Sequence, residues 1–266
     1  MKRARSMAVL TSDGRSLSPA EIGALFVLPA GTRVAADASA AAWVDEALGE
    51  QPWATVRSEI PAGFESYARV LHPAWRDTKD GGAEPVRWTE VAMETGRTVH
   101  PLMQFERIAG IPDDPNAQPP WGSRPRANGV GDVAGALIPI LRRHTTTPDR
   151  CVLGVWEGYG GLDMVPALIS APRASKPGRS YLLFEGPLEA VLGFNVGPWE
   201  APNIWWPEDR AWFVSTDIDL DSTYIGGRDE LIGAILAEGD LEAFPAEIGD
   251  RVDIGADEIN PPNLSV

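Results

Sequence analysis

Long apolar runs, cysteine and lysine are all scarce in this sequence. No apolar run approaches the roughly 18 residues that a membrane-spanning helix needs, so we expect no membrane partner. Cys151 is the single cysteine, which excludes an intramolecular disulfide and is typical of a protein kept in a reducing compartment. Only three of the 23 basic residues are lysines, a bias typical of GC-rich bacterial genomes.

The first ten residues begin like a secretory signal peptide, with the basic residues Lys2, Arg3 and Arg5. The short apolar stretch that follows ends at Leu10, and residues 11–15 are mostly polar. Because a signal peptide needs a longer apolar region, this start does not predict secretion. We therefore expect a bacterial, cytoplasmic protein.

Negative charge is concentrated in the last quarter of the chain. The formal net charge is −15, and residues 200–266 contain 16 acidic residues against three arginines. A field of this sign repels nucleic acid and anionic lipid and attracts cationic partners. We therefore expect no nucleic-acid binding and predict a basic protein partner. A solvated surface that only keeps the protein soluble is the alternative interpretation.

Periodicity and capping signals predict an α+β protein with a mainly antiparallel sheet, flanking helices and long proline-rich loops. Strands are predicted at 63–71, 151–156, 181–184 and 212–220, and helices at 37–49, 88–95, 132–141 and 228–238. Residues 112–126 hold five prolines and are predicted to be a loop, either a lid or binding segment or a seam between subdomains. The predicted organisation is an N-terminal helical segment, residues 1–58, packed on a main α+β domain, residues 59–266.

An aspartate triplet is one candidate site. Asp217, Asp219 and Asp221 alternate with aliphatic residues, as in a half-buried strand with its acids outward. Three carboxylates on one strand face repel each other, and a divalent cation would relieve that repulsion. The triplet is therefore a candidate metal site, and no other cofactor is expected. Asp219, Asp221 and Thr223 also match the first motif of haloacid-dehalogenase-type phosphotransferases, but the lysine of that family's later motifs has no counterpart downstream.

Two glutamates form a second candidate site. Glu157 and Glu185 each follow an aliphatic and an aromatic residue and precede a glycine. On parallel neighbouring strands they would share one sheet edge and could divide acid and base roles, as in glycoside hydrolysis. On antiparallel strands they would lie at opposite ends. The proline-rich connection between the two strands favours the antiparallel arrangement.

A tryptophan-rich segment is the third candidate. Four of the ten tryptophans lie between Trp199 and Trp212. Adjacent residues of an extended segment point in opposite directions, so at least one of Trp205 and Trp206 is expected at the surface. Aromatic residues rimmed by charge are typical of an interface, and packing of a loop over the sheet is the alternative. The predicted binding face comprises Trp199, Trp205, Trp206, Glu208, Asp209, Arg210, Asp219 and Asp221.

Several stretches together resemble a family of uncharacterised proteins from GC-rich bacteria. They are residues 63–74, 144–148, 155–158, 206–212 and 219–224. The resemblance extends from about residue 60 to the C-terminus and implies one continuous domain. The family has no assigned activity, so the resemblance implies no site residues.

The leading hypothesis is a non-catalytic, cytoplasmic protein-binding module whose acidic, tryptophan-rich face engages a basic partner. An immunity- or antitoxin-like role fits, because a small acidic protein can block a basic effector electrostatically. The alternative is a hydrolase that uses the Glu157–Glu185 pair or a divalent cation held by the aspartate triplet.

Overall fold

A computed structural model gives the fold of the chain. It describes residues 15, 18, 21, 27–48, 54–114, 116–127, 129–159, 162, 165–176, 178–194 and 201–262. Within these ranges, no helix is long and apolar enough to cross a membrane. The expected α+β class is confirmed, because mainly antiparallel sheets are flanked by helices.

Most of the strands belong to one large sheet. The strands are β1 (Arg33–Val34), β2 (Ser66–Leu71), β3 (Ala74–Asp77), β4 (Ala83–Val86), β5 (Gly122–Ser123), β6 (Cys151–Trp156), β7 (Arg173–Lys176), β8 (Arg179–Gly186), β9 (Ile204–Pro207), β10 (Phe213–Ser215), β11 (Ser222–Gly227) and β12 (Ala243–Ala246). In the described residues the large sheet has nine strands, in the order β1-β8-β6-β9-β10-β11-β2-β12, with β7 also paired to β8. β4, β3 and β5 form a separate small sheet.

Seven α-helices lie in the described ranges. They are α1 (Ala42–Leu48), α2 (Val56–Glu59), α3 (Trp88–Thr95), α4 (Phe105–Ala109), α5 (Val130–Arg143), α6 (Pro166–Ile169) and α7 (Asp229–Leu236). The helix predicted at 88–95 is confirmed as α3, and it ends because Gly96 adopts a left-handed conformation with φ of 68°. The strand predicted at 151–156 is confirmed as β6.

Apolar side chains cover both faces of the large sheet. On one face, α5 and α7 pack with Trp205, and on the other, α1 and α2 pack with Trp206. Because side chains alternate along a strand, the neighbouring indoles enter opposite cores. Strands buried on both faces have continuous apolar sequences, as β6 and β9 do.

The small sheet and helices α3 and α4 enclose a third apolar cluster. Trp88 lies at its centre, with its ring centroid 5.5 Å from that of Phe105. The Trp88 indole donates a hydrogen bond to the His72 carbonyl at 2.7 Å, and the Arg69 guanidinium lies 5.3 Å from its ring centroid. These contacts attach the small sheet to the end of β2.

The chain turns at residues 216–221, where a continuing strand was expected. β10 ends at Ser215, and the backbone amide of Asp219 then donates to the Asp217 carboxylate at 3.0 Å. Such a bond from an aspartate to the backbone two residues later is typical of a turn. The predicted strand through residue 220 is therefore wrong. Asp217 is buried rather than outward-facing, and β11 begins only at Ser222.

The N-terminal part of the described chain packs on the sheet. Arg33 of β1 pairs in register with Glu185 of β8. The Asp45 carboxylate on α1 accepts a hydrogen bond from the Ser175 amide at 2.7 Å.

A buried ion-pair network joins the end of α2 to β7 and to the 216–221 turn. Lys176 Nζ lies 2.5 Å from Glu59 Oε2 and 3.1 Å from Asp217 Oδ2, and each of the three side chains is at most 3% exposed. Arg179 donates to Asp217 and to the more exposed Asp219. Burial raises the pKa of Glu59, whereas the Lys176 ammonium opposes that rise. Charges this deep persist only when paired, so the network fixes the relative positions of three segments.

His72 forms a second buried polar chain. Its Nδ1 lies 2.9 Å from the Arg126 carbonyl oxygen and 3.2 Å from the Gly129 amide nitrogen. Its Nε2 lies 2.9 Å from the Thr223 hydroxyl, and the Thr216 hydroxyl lies 2.6 Å from that of Thr223. Burial is the main cause that lowers the pKa of His72 to about 4.

Removal of the Lys176 charge should destabilise the fold strongly. In Lys176→Met, Glu59 and Asp217 lose their shared buried cation, and the free energy of unfolding should fall by about 3–5 kcal/mol. Urea denaturation measures this change. The control Arg33→Met removes an exposed cation from Glu185 and should cost less than about 1 kcal/mol. Equal losses in the two variants would contradict the role of the network.

Stability should also depend on the protonation of His72. Its pKa is lowered from 6.5 to about 4 in the folded state, so the stabilisation is complete above pH 6.5 and is lost as pH falls toward 4. Between about pH 7 and about pH 5 the free energy of unfolding should drop by about 2 kcal/mol from this group. Urea unfolding of His72→Gln should lack that drop, whereas the control His144→Gln should keep it. A His72→Gln protein with the full drop would contradict the assignment.

Candidate functional site

The tryptophans of the predicted binding face lie in the interior. Trp205 and Trp206 are 0% and 1% exposed, so the expectation that at least one reaches the surface is wrong. Trp205 packs edge-on against Trp212 at 5.6 Å, and Trp206 stacks on Phe213 at 5.4 Å. Helices on both sides of the sheet account for this burial. Trp199 lies outside the described residues.

Glu208, Asp209 and Arg210 form the turn between β9 and β10 and are exposed. Glu208 pairs with Arg150 at 2.6 Å. Arg210 has a left-handed backbone with φ of 54°, and its guanidinium lies 5.1 Å from the centroid of the Trp43 ring. These charges therefore surround a buried aromatic stack rather than an exposed one.

The predicted pair of glutamates is not assembled. β6 and β8 are antiparallel, with Val152 opposite Glu185, while the amide of Glu157 bonds to the Ser180 carbonyl at the other end of the pair. Five residues of strand separate the two positions, or about 17 Å. Each glutamate instead pairs with an arginine, Glu157 with Arg173 and Glu185 with Arg33. The shared-edge arrangement is therefore wrong.

The aspartate triplet is divided between arginine and lysine partners. Asp217 pairs with Lys176 and Arg179, Asp219 with Arg179, and Asp221 with Arg124 at 3.4 Å. Cationic side chains thus provide the charge compensation that a metal ion was expected to supply. In the described part of the chain, no group of three or more histidine, cysteine, aspartate or glutamate residues could hold a metal ion.

A cleft of about 660 Å³ lies beside the 216–221 turn, and we call it the acidic cleft. Its lining residues are Gln104, Glu106, Asp113, Asp114, Arg124, Pro125, Ala127, Ile218, Asp219, Leu220, Asp221, Val252, Asp253 and Ile254. Six of these are acidic, and among the described residues Arg124 is the single basic residue of the lining. The cleft therefore combines a concave shape with charge of one sign.

Arg124 holds two carboxylates together at the base of this cleft. Its Nη2 donates to Glu106 and lies 3.4 Å from Asp221 Oδ2. Burial is the main cause that raises the pKa of Asp221, the neighbouring Glu106 carboxylate raises it further, and Arg124 opposes both. A carboxyl group with a raised pKa next to a second carboxylate in a concave site is typical of a functional site.

Three further arginines compensate cleft acids from outside the lining. Arg107 pairs with Asp113 at 2.9 Å, Arg251 with Asp253 at 2.8 Å, and Arg179 with Asp219. The Asp114 carboxylate accepts hydrogen bonds from Asn116, and no ion pair of it with an arginine is seen among the described residues. Four arginines therefore balance six acids, which leaves an excess of negative charge in the cleft.

Distant parts of the chain build the acidic cleft. Glu106 lies on α4, and Asp113, Asp114 and Arg124 belong to the proline-rich loop at 112–126. Loop composition predicted either a lid or binding segment or a seam between subdomains there, and none of these residues was predicted as a site residue. Of the predicted binding residues, Asp219 and Asp221 line the cleft.

Comparisons with known proteins found no match for the chain. No family model matches the chain, and neither a curated protein nor a solved structure does.

Proposed function

We propose that the protein is a non-catalytic binding protein whose acidic cleft receives a basic segment of a partner protein. The observation that carries the proposal is the lining of one cleft by six carboxylates and one guanidinium. Concave surfaces of one charge sign focus the field and attract ligands of the opposite sign. Lysine or arginine side chains are the cations that a protein partner offers.

Ion pairs restrict several carboxylates of the cleft before a cation binds. Arg107, Arg179 and Arg251 each hold one carboxylate in place, so these side chains lose less conformational freedom on binding. Asp114 and Asp219 lie exposed at the mouth, where a basic side chain would first meet them. Electrostatic contacts of this kind raise the association rate and weaken with salt.

Recognition does not use Trp205 and Trp206, because they are buried. An immunity- or antitoxin-like role is part of the proposal, since a compact acidic protein can occlude a basic effector. A net charge of −15 supports a protein partner rather than nucleic acid. The single, buried Cys151 supports action in the cytoplasm.

Charge reversal at the cleft mouth should weaken binding of a basic probe. The variant Asp114→Arg with Asp219→Arg should bind a fluorescein-labelled oligo-arginine peptide roughly tenfold more weakly than the wild type, because two attractive charges become repulsive. Fluorescence anisotropy at low and at physiological salt measures the affinity. The same variant used as bait should fail to retain the partner that wild-type protein captures from its host.

The matched control is Glu46→Arg with Glu84→Arg. Both glutamates are exposed and lie outside the cleft lining, and the change in net charge is the same. This control should weaken binding less than about threefold. If both double variants lose equal affinity, binding follows net charge alone and the cleft is not the site.

A hydrolase is the second candidate function. Glu106 and Asp221 meet at one Arg124 nitrogen, which places their carboxyl groups close to the separations of about 5–10 Å that glycosidases use. The raised pKa of Asp221 suits a general acid, and Glu106 would serve as nucleophile or base.

A panel of chromogenic p-nitrophenyl glycosides tests this alternative. If it holds, the wild type hydrolyses a member of the panel, and Glu106→Gln or Asp221→Asn lowers the rate by at least about 100-fold. The control Glu84→Gln should leave the rate unchanged. Hydrolysis that survives both cleft substitutions would contradict catalysis by this pair.

A further inference from the structure

We propose that a second cavity binds a small molecule through a phosphate or carboxylate group. The cavity, of about 460 Å³, lies where the end of α5, the β9–β10 turn and the start of α7 meet. Its polar lining includes Arg143, His144, Asp209, Arg228 and Glu230. We call it the arginine cavity. It shares no lining residue with the acidic cleft.

Two exposed arginines, Arg143 and Arg228, line this cavity and have no partner within the described residues. Within the described residues, Arg143 and Arg228 make no side-chain hydrogen bond, ion pair or ring contact, and the only other described lysine or arginine in that condition is Lys79. The chain has 38 acidic residues against 23 basic ones. Since acids outnumber bases, unpaired arginines are unexpected, and their position in the lining of one cavity points to a ligand that completes them.

Asp209, one of the two acids of the cavity lining, already accepts hydrogen bonds from other donors. Its carboxylate accepts from the Thr145 hydroxyl at 2.8 Å, from the Thr146 amide and hydroxyl at 2.7 Å each, and from the Ala211 amide at 3.2 Å. Four donors fill the acceptor positions that a carboxylate offers. Asp209 therefore shapes the cavity wall and leaves the arginines unpaired.

The chemistry of the free groups selects an oxyanion. Arg143 and Arg228 offer planar, permanently charged forks of donors, which match phosphate and carboxylate geometry. The His144 ring lines the same cavity and has no partner in the described residues, so it adds a further polar contact. Glu230 also lines the cavity and is exposed, as Arg143 and Arg228 are, so water screens all three charges.

The volume implies a ligand larger than an inorganic ion. A cavity of about 460 Å³ lies within the range of roughly 300–1,000 Å³ that is typical of small-molecule sites. The oxyanion would therefore be one end of a small metabolite, with the remainder against Leu231 and Ala211.

The arginine cavity is separate from the acidic cleft. Asp221 directly precedes β11 and lines the cleft, whereas Arg228 directly follows β11 and lines the cavity. Seven strand positions place the two residues about 23 Å apart. The two sites also select ligands of opposite charge, so either proposal can fail without the other.

Isothermal titration calorimetry with pyrophosphate and with citrate tests the proposal. Wild-type protein should bind at least one of them, and Arg143→Gln and Arg228→Gln should each weaken that binding about tenfold, because each removes a charge-assisted hydrogen bond. The matched control is Lys79→Gln, which removes the other unpaired cation outside the cavity and should change the affinity less than about twofold. Circular dichroism and urea unfolding check that the variants are folded.

The two probes distinguish the sources of the oxyanion. Binding of pyrophosphate alone indicates a phosphorylated ligand, binding of citrate alone indicates a carboxylate, and both outcomes support the proposal if the arginine variants lose affinity. The proposal is wrong if neither probe binds below about 10 mM, a limit of roughly 3 kcal/mol in binding free energy that a site with two guanidinium groups should exceed. It is also wrong if both arginine variants bind as tightly as the wild type, or if Lys79→Gln loses as much affinity as they do.

Discussion

A single buried ammonium group sets the position of the parts on which the proposed binding site depends. Lys176 on β7 pairs with Glu59 at the end of α2 and with Asp217 in the 216–221 turn. Without Lys176, Glu59 would be a buried, unpaired charge and Asp217 would keep only Arg179, so the three segments cannot separate independently. Arg179 extends the network from Asp217 to Asp219 at the cleft. These ion pairs therefore determine where the acidic side chains of the 216–221 turn lie in the cleft.

The charges of the acidic cleft and of the arginine cavity depend on which basic residues of this acidic chain are paired with carboxylates. Most described arginines are used to hold carboxylates, and Arg124 even does so inside the acidic cleft. Among the described residues, Arg143 and Arg228 have no partner, and they lie at the other end of β11. The two proposals thus give one molecule a cleft for cations and a separate cavity for anions. A ligand in the second site could accompany a protein partner in the first, since the sites do not overlap.

Local signals in the sequence predicted the elements, while the sites needed distant contacts. The helix at 88–95 and the strand at 151–156 were predictable because periodicity and a terminal glycine are local. The 216–221 turn was missed because the alternation of aspartates with aliphatic residues is also typical of a strand. Asp217 is buried because it pairs with Lys176, a contact that is distant in the sequence. The adjacent tryptophans correctly predicted opposite orientations, but their burial depends on helices elsewhere in the chain. The proline-rich loop at 112–126 was predicted as a loop, yet its cleft residues carried no recognisable motif.

The pairing of β2 has a consequence for synthesis on the ribosome. β2, at residues 66–71, lies between β11 at 222–227 and β12 at 243–246, both antiparallel to it. Because both neighbours are translated more than 150 residues later, β2 stays unpaired for roughly 10–30 s at elongation rates of about 5–20 residues per second. Long-range pairing of this kind folds slowly, and an unpaired strand edge promotes aggregation. The nascent chain therefore exposes an unpaired strand edge until the residues of β11 and β12 have been synthesised.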